Sequence, residues 1–165
     1  MSSRPTNLTY LDFKILNEKW NSYKLEDDTI LKARVVMVSY AKVNDPEPNQ
    51  GAFFFASHTV FGVESPPEIR GPRDPTIYTL AELMKELEPD KEDLKLKTLD
   101  ENWSEYVIED STKISLKVSP TRVMRTKKFD SIGNPQYVVQ SMILPKAVAK
   151  DPRKLAAMVG VGGTG

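Results

Sequence analysis

The chain has 165 residues, 39% of them hydrophobic, which is enough for one ordinary domain with its own core. Its 23 basic and 23 acidic side chains cancel, which argues against a binder of bulk polyanions and against a highly charged disordered chain. There is no cysteine, and His58 is the only histidine. Disulfides, thiolate metal sites, cysteine nucleophiles and multi-histidine metal sites are therefore excluded.

The first nine residues contain no apolar stretch of the kind that a secretory signal needs. No segment approaches the roughly 18 consecutive apolar residues of a membrane-spanning helix. We therefore expect a cytoplasmic protein without a membrane span.

An internal repeat is the most informative feature of the sequence. Residues 10–36 align with residues 93–119 without a gap, at a constant offset of 83 positions, and ten of these 27 positions are identical. Chance would give roughly one or two identities. The two tryptophans, Trp20 and Trp103, occupy the same repeat position. The match continues at an offset of 84, where residues 53–57 align with residues 137–141.

The repeat predicts a domain organisation. We divide the chain into repeat 1 (10–70), a linker and helix (71–92), repeat 2 (93–159) and a flexible tail (160–165). About 75 residues is small for an independent core, so we expect the two copies to share one core about a pseudo-twofold axis.

Each repeat has the pattern of a small antiparallel β unit. After the turns at Glu26–Thr29 and Glu109–Thr112, apolar and polar side chains alternate, with Leu31, Ala33, Val35, Ile114, Leu116 and Val118 on the apolar faces. This pattern predicts a hairpin in each copy, pairing 20–26 with 29–43 and 103–109 with 112–126. Earlier strands are predicted near 11–16 and 94–99, and returning strands at 53–56 and 137–140. The expected fold class is mainly β, of the α+β type.

Local signals add two helices and one irregularity. Thr79 followed by Glu82 is a capping-box pattern and predicts a short amphipathic helix near 79–88. Asp151 followed by Pro152 predicts a second helix near 151–159. Pro120 lies within a predicted strand, which must therefore be an edge strand or bulge there.

Motifs for catalysis or cofactor binding are weak. Glu26-Asp27 and Glu109-Asp110 recur as carboxylate pairs that could hold a cation or perform acid–base work, but turns explain them more simply. The spacing of Gly160, Gly162 and Gly165 matches a dinucleotide fingerprint, yet the helix that would follow it is missing, so we interpret it as tail. His58 directly follows a serine, which is not the spatial pairing of a catalytic triad. We predict no catalytic residue, no cofactor and no metal.

The W-x-x-Y pairs, Trp20/Tyr23 and Trp103/Tyr106, could stack nucleobases, anchor an interface or fill the core, and we favour the core. One basic cluster offers phosphate contacts in an alternative, nucleic-acid-binding function. It consists of Arg122, Arg125, Lys127 and Lys128.

Four phenylalanines are the candidate protein interface: Phe53, Phe54, Phe55 and Phe61. Three consecutive phenylalanines on one strand cannot all face a single core, because neighbouring side chains alternate between the two faces. Phe54 is therefore expected to point outward unless the chain covers both faces.

The pattern W-x-x-Y-x-L/I-E-D-x-T, followed by Y-V-V-Q-S at residues 137–141, resembles small prokaryotic β proteins that look like single-copy versions of this unit. The second copy matches best, whereas the first has FFFAS at residues 53–57. The resemblance implies no activity.

We predict a non-enzymatic accessory or structural subunit of a larger assembly, which binds protein partners or its own copies. The alternatives are a nucleic-acid-binding module using the basic strand, and a small-ligand binder or enzyme with an acidic site at the repeat interface.

Overall fold

The protein is mainly β, with antiparallel sheets and little helix. A computed structural model describes residues 7–46 and 52–148. Within these ranges the strands are β1 (Leu8–Leu11), β2 (Phe13–Asn17), β3 (Asn21–Leu25), β4 (Ile30–Val43), β5 (Phe53–Glu64), β6 (Leu96–Asp100), β7 (Ser104–Ile108), β8 (Lys113–Phe129) and β9 (Pro135–Val148), and the α-helix is α1 (Leu80–Met84). Both predicted hairpins are confirmed as β3–β4 and β7–β8, and both returning strands as β5 and β9, which are longer than predicted.

The strands form two sheets. In the first, β4 pairs with β5 along one side and with β1 and β3 along the other, while β6 pairs with β3. The second sheet has the order β2-β7-β8-β9. β5 and β9 are thus edge strands of their sheets within the described ranges.

The two copies exchange one strand. β2 of repeat 1 pairs with β7 of repeat 2, and β6 of repeat 2 pairs with β3 of repeat 1. The bounds of β6 and β7 lie 83 residues after those of β2 and β3, so the exchanged strands are repeat equivalents. Each copy therefore completes the sheet of the other, whereas the sequence predicted these strands without their partners. The pseudo-twofold axis stays a prediction.

The repeat also reaches further towards the N-terminus than residue 10. β1 pairs Leu11 with Tyr40 of β4. Its repeat equivalent, residues 91–94, runs beside β8 in the same way, because the Leu94 N–H donates to Val123 O at 2.9 Å and the Arg125 N–H to Lys91 O at 2.9 Å. Residues 91–94, where the linker meets repeat 2, thus protect part of β8.

One cluster of buried side chains contains residues from both copies. The six apolar positions that the alternation assigned to the core are buried, while Lys32, Arg34 and Lys117 are half-buried and Lys113 is exposed. The period-two prediction is therefore confirmed.

A bulge occurs at the same place in both long strands. The pairing register shifts between Met37 and Ser39 on β4, and between Pro120 and Arg122 on β8. The bulge expected from Pro120 is confirmed, but the copy without proline has it too. The Met37 N–H donates to the Tyr106 hydroxyl at 2.9 Å. Pro120, the repeat equivalent of Met37, therefore replaces a residue whose N–H binds a side chain.

The linker carries the helix and a strap, which we define as residues 70–79. The Thr79 hydroxyl accepts from the Glu82 N–H at 3.2 Å, so the predicted capping is confirmed. The helix α1 is shorter than predicted because Leu87 already bridges to Thr126 of β8. The predicted helix 151–159 and the tail 160–165 lie outside the described residues. In residues 7–46 and 52–148, no helix has the length and hydropathy to cross a bilayer.

Candidate interaction surfaces

The four phenylalanines of the predicted interface divide into two kinds. Phe53 and Phe55 are 2% and 5% exposed and belong to the core. There the Phe53 ring stacks on the Tyr40 ring, with 5.3 Å between the ring centroids. They therefore offer no surface to a partner. Phe54 and Phe61 are half-buried, and only these two remain candidates.

Phe61 lies in an open groove between the edge strands β5 and β9. The groove has a volume of about 400 Å³, and its lining includes Phe61, Val63, Tyr137 and Val139. Its apolar lining and the two neighbouring strand edges suit an extended peptide better than a small polar ligand.

The basic cluster does not form one free cationic surface. The Arg125 side chain is only 11% exposed and contacts two carboxylates, with Nη1 3.1 Å from Asp27 Oδ2 and Nε 2.7 Å from Glu88 Oε2. Burial lowers the pKa of Arg125, but the Glu88 and Asp27 contacts outweigh burial and raise it overall. Lys128 Nζ lies over the Tyr78 ring, 5.2 Å from its centroid.

The carboxylate pair of repeat 1 is part of a polar network between the copies. The Tyr137 hydroxyl donates to Asp27 Oδ2 at 2.6 Å, and the Thr29 N–H donates to Asp27 Oδ1 at 3.0 Å. Burial raises the pKa of Tyr137, and the Asp27 contact raises it further. The Glu26 carboxylate instead accepts from the Lys95 N–H at 3.0 Å, so the two neighbouring carboxylates bind different partners.

The equivalent turn of repeat 2 has the same local bond, from the Thr112 N–H to Asp110 Oδ1 at 3.0 Å. The turn interpretation of both acidic pairs is therefore supported. Within the two described ranges, no three acidic or histidine side chains are grouped so that they could hold a metal ion.

The W-x-x-Y residues separate into core and surface. Tyr23 and Tyr106 are fully buried, as predicted. Trp20 is exposed and lies under Arg34, and Trp103 lies under Lys117 at 5.0 Å. The core interpretation is thus confirmed for the tyrosines and wrong for Trp20.

An exposed apolar row, which we call the docking row, lies on the strap and α1. Ile77, Leu80 and Met84 are 94%, 64% and 41% exposed. Leu80, Leu83, Met84 and Leu87 have the i, i+3, i+4, i+7 spacing of a single apolar helix face, yet Leu80 and Met84 are exposed and only Leu83 and Leu87 are half-buried. Nothing in the sequence indicated that Ile77 belongs to an exposed apolar surface, because a single isoleucine among prolines has no periodic signal.

The strap beneath the docking row is fixed to the β8–β9 turn. The Gly71 N–H donates to Gly133 O at 2.9 Å, and the Asp74 N–H to Asp130 O at 2.9 Å. The Tyr78 hydroxyl donates to the Asp74 carboxylate, and this bond lowers the pKa of Asp74. The docking row is therefore presented by an anchored segment.

Comparisons with known proteins give no match to a family model, a curated protein or a solved structure. The resemblance to small prokaryotic β proteins stays a prediction.

Proposed function

We propose that the protein is a non-enzymatic accessory subunit that binds a protein partner through the docking row. The observation that carries this proposal is Ile77, whose side chain is 94% exposed on a strap held by backbone hydrogen bonds. A single exposed apolar residue is ordinary, but here Leu80 and Met84 extend the exposed surface along the next turn.

The partner should present an apolar groove or pocket to this row. Full burial of an isoleucine or leucine side chain contributes about 1.5–3 kcal/mol, so the row can act as the small anchor group on which specific interfaces depend. Because the strap is already ordered, little conformational entropy is lost on binding.

The test is affinity capture from the native organism's lysate with quantitative mass spectrometry. We expect the double variant Ile77→Ser/Leu80→Ser to lose at least about tenfold of the specific partner signal, because two apolar anchors are removed. Glu82→Gln on the same helix is the matched control and should capture as much as the unmodified chain. Equal capture by the double variant and the control contradicts the proposal, as does an unmodified chain that captures no partner.

The other two functions have less support. A phosphate-binding strand would need Arg125, which is engaged by Asp27 and Glu88. An acidic site at the repeat interface would need a free Asp27, whose carboxylate is neutralised by Arg125 and bonded to Tyr137.

A further inference from the structure

The strap contains a P-x-x-P segment with extended backbone. At its two ends, Arg70 has φ −73° and ψ 148°, and Thr79 has φ −74° and ψ 161°. These angles lie close to those of a polyproline II helix, about −75° and 145°. Between the ends, Pro72 and Pro75 fix their own φ near about −65°, and each proline restricts the residue before it to extended backbone.

The contacts of the strap with the rest of the protein recur every three residues. The N–H groups of Gly71 and Asp74 both donate to backbone carbonyls of the β8–β9 turn, at 2.9 Å. This spacing fits polyproline II, which has three residues per turn, whereas a β-strand directs residues two apart to the same side. Gly71 and Asp74 are half-buried, while Pro72 and Pro75 are exposed. The two proline rings, which we call the proline ridge, therefore lie on the solvent side.

The proline ridge leads directly into the docking row. The Thr76 N–H donates to Asp74 Oδ1 at 2.9 Å, and this turn is followed at once by Ile77, which is 94% exposed. Arg73 lies between the two prolines, is exposed and forms no ion pair with any described residue. One continuous surface thus presents two proline rings, a free cation and an aliphatic side chain.

We propose that the partner bound by the docking row is a protein with an aromatic-lined groove, which binds the proline ridge as a polyproline II ligand. This inference rests on the proposed function and names the chemistry of its partner. Grooves lined with aromatic rings recognise P-x-x-P segments, because the polyproline II conformation is already formed and loses little entropy on binding. The anchored strap meets this condition. The free charge of Arg73 is matched by a carboxylate at the rim of such a groove.

The first test measures the dissociation constant of the complex with the partner identified by the capture experiment. Pro72→Ala/Pro75→Ala should raise this constant at least about fivefold, because both ring contacts are lost. Pro67→Ala/Pro89→Ala removes two prolines that are also exposed but lie outside the strap, and this matched control should bind as the unmodified chain does. Equal dissociation constants for the two double variants overturn the inference.

Hydrogen exchange separates the proline contacts from the anchoring of the strap. The amides of Gly71 and Asp74 should stay protected in Pro72→Ala/Pro75→Ala, since both of their hydrogen bonds remain available. If their protection is lost, the weaker binding reports a displaced strap, and the cross-linking test decides.

The second test identifies the surface that the proline ridge contacts. Thr76 is exposed beside Pro75 and is replaced by the photo-cross-linker p-benzoylphenylalanine in the full chain. The cross-linked segment of the partner should contain a tryptophan, tyrosine or phenylalanine whose replacement by alanine raises the dissociation constant at least about tenfold. A cross-linked segment without such an aromatic residue overturns the inference.

The charge of Arg73 gives a third readout. Arg73→Gln should raise the dissociation constant and make it less dependent on salt, because a contact with a carboxylate is screened by ions. An unchanged salt dependence overturns the acidic rim.

The variants also separate this inference from the proposed function. If Ile77→Ser/Leu80→Ser loses the partner while Pro72→Ala/Pro75→Ala keeps it, the docking row stands and the aromatic groove is wrong. If both variants keep the partner, or the unmodified chain captures none, the docking row and the aromatic groove are both wrong.

Discussion

At the scale of single residues, two equivalent tyrosines have different surroundings. The Tyr106 hydroxyl accepts from the Met37 N–H at 2.9 Å and donates to Glu18 at 2.6 Å. Tyr23 reaches the corresponding place in the other copy, where Pro120 has no N–H to donate, and its hydroxyl lies 3.4 Å from Val118 O. One substitution between the repeats has thus removed a hydrogen bond across the molecule.

This asymmetry predicts unequal losses on removing the two hydroxyls. Tyr106→Phe should lower the free energy of unfolding by about 2 kcal/mol, because it leaves the buried Met37 N–H and the Oε2 atom of Glu18 without their partner. Tyr23→Phe breaks two long hydrogen bonds, to Val118 O at 3.4 Å and from Asn21 Nδ2 at 3.3 Å, and should cost less than about 1 kcal/mol. Denaturant unfolding of both variants gives the two values, and equal losses would show that the Met37 contact adds nothing.

The contact between Arg125 and Asp27 joins the copies through a buried ion pair. Arg125→Met should lower the free energy of unfolding by about 3 kcal/mol, since Asp27 is left as a buried carboxylate without its cation. Arg122→Met, on the same strand but exposed, is the control and should change stability little. If the two variants unfold at the same denaturant concentration, the ion pair contributes nothing to stability.

Buried tyrosines also predict the alkaline limit of stability. Burial raises the pKa of Tyr23 and of Tyr40 from 10.0 to about 12, and it raises those of Tyr106 and Tyr137 as well. A folded-state pKa above the unfolded value gives stability that is present below pH 10 and is lost as the pH rises towards 12. Urea unfolding should therefore show a steep fall in the free energy of unfolding over that interval, and a flat profile there would contradict the assignment.

At the scale of elements, the strap depends on a close approach that only glycine allows. A Cβ on Gly71 would lie 2.4 Å from the Phe129 ring. Gly71→Ala should therefore displace the strap and cost about 1–3 kcal/mol, as overpacking does. Gly62→Ala is the matched control, because a Cβ there would meet no atom within 4 Å.

Hydrogen exchange measured by mass spectrometry reads out the strap directly. The amides of Gly71 and Asp74 should lose protection in Gly71→Ala and keep it in Gly62→Ala. Protection that is unchanged in Gly71→Ala would mean that the strap is held without this contact.

The sequence predicted the positions of the strands better than it predicted which strands pair with each other. Alternation around Leu31 and Ile114 located both hairpins because a half-buried strand leaves a period of two. The exchange of β2 and β6 leaves no such signal, since the same strand pattern fits either copy. The exposure of Ile77 and the ion pairs of Arg125 could likewise not be predicted from the sequence. Both depend on contacts between residues that are distant in the sequence.

At the scale of the whole molecule, the exchange of β2 and β6 makes each sheet depend on both copies. Unfolding of one copy withdraws a strand from the sheet of the other and exposes part of the shared core. We therefore expect the two repeats to unfold together, as one domain and not as two.

The reciprocal strand exchange is tested most directly by unfolding variants that keep a single tryptophan. Trp103→Phe leaves Trp20 to report on repeat 1, and Trp20→Phe leaves Trp103 to report on repeat 2. In each variant, the denaturant transition measured by tryptophan fluorescence should coincide with that measured by far-UV circular dichroism. A fluorescence transition that precedes the circular dichroism transition in either variant would show that one copy unfolds alone, and would contradict the exchange.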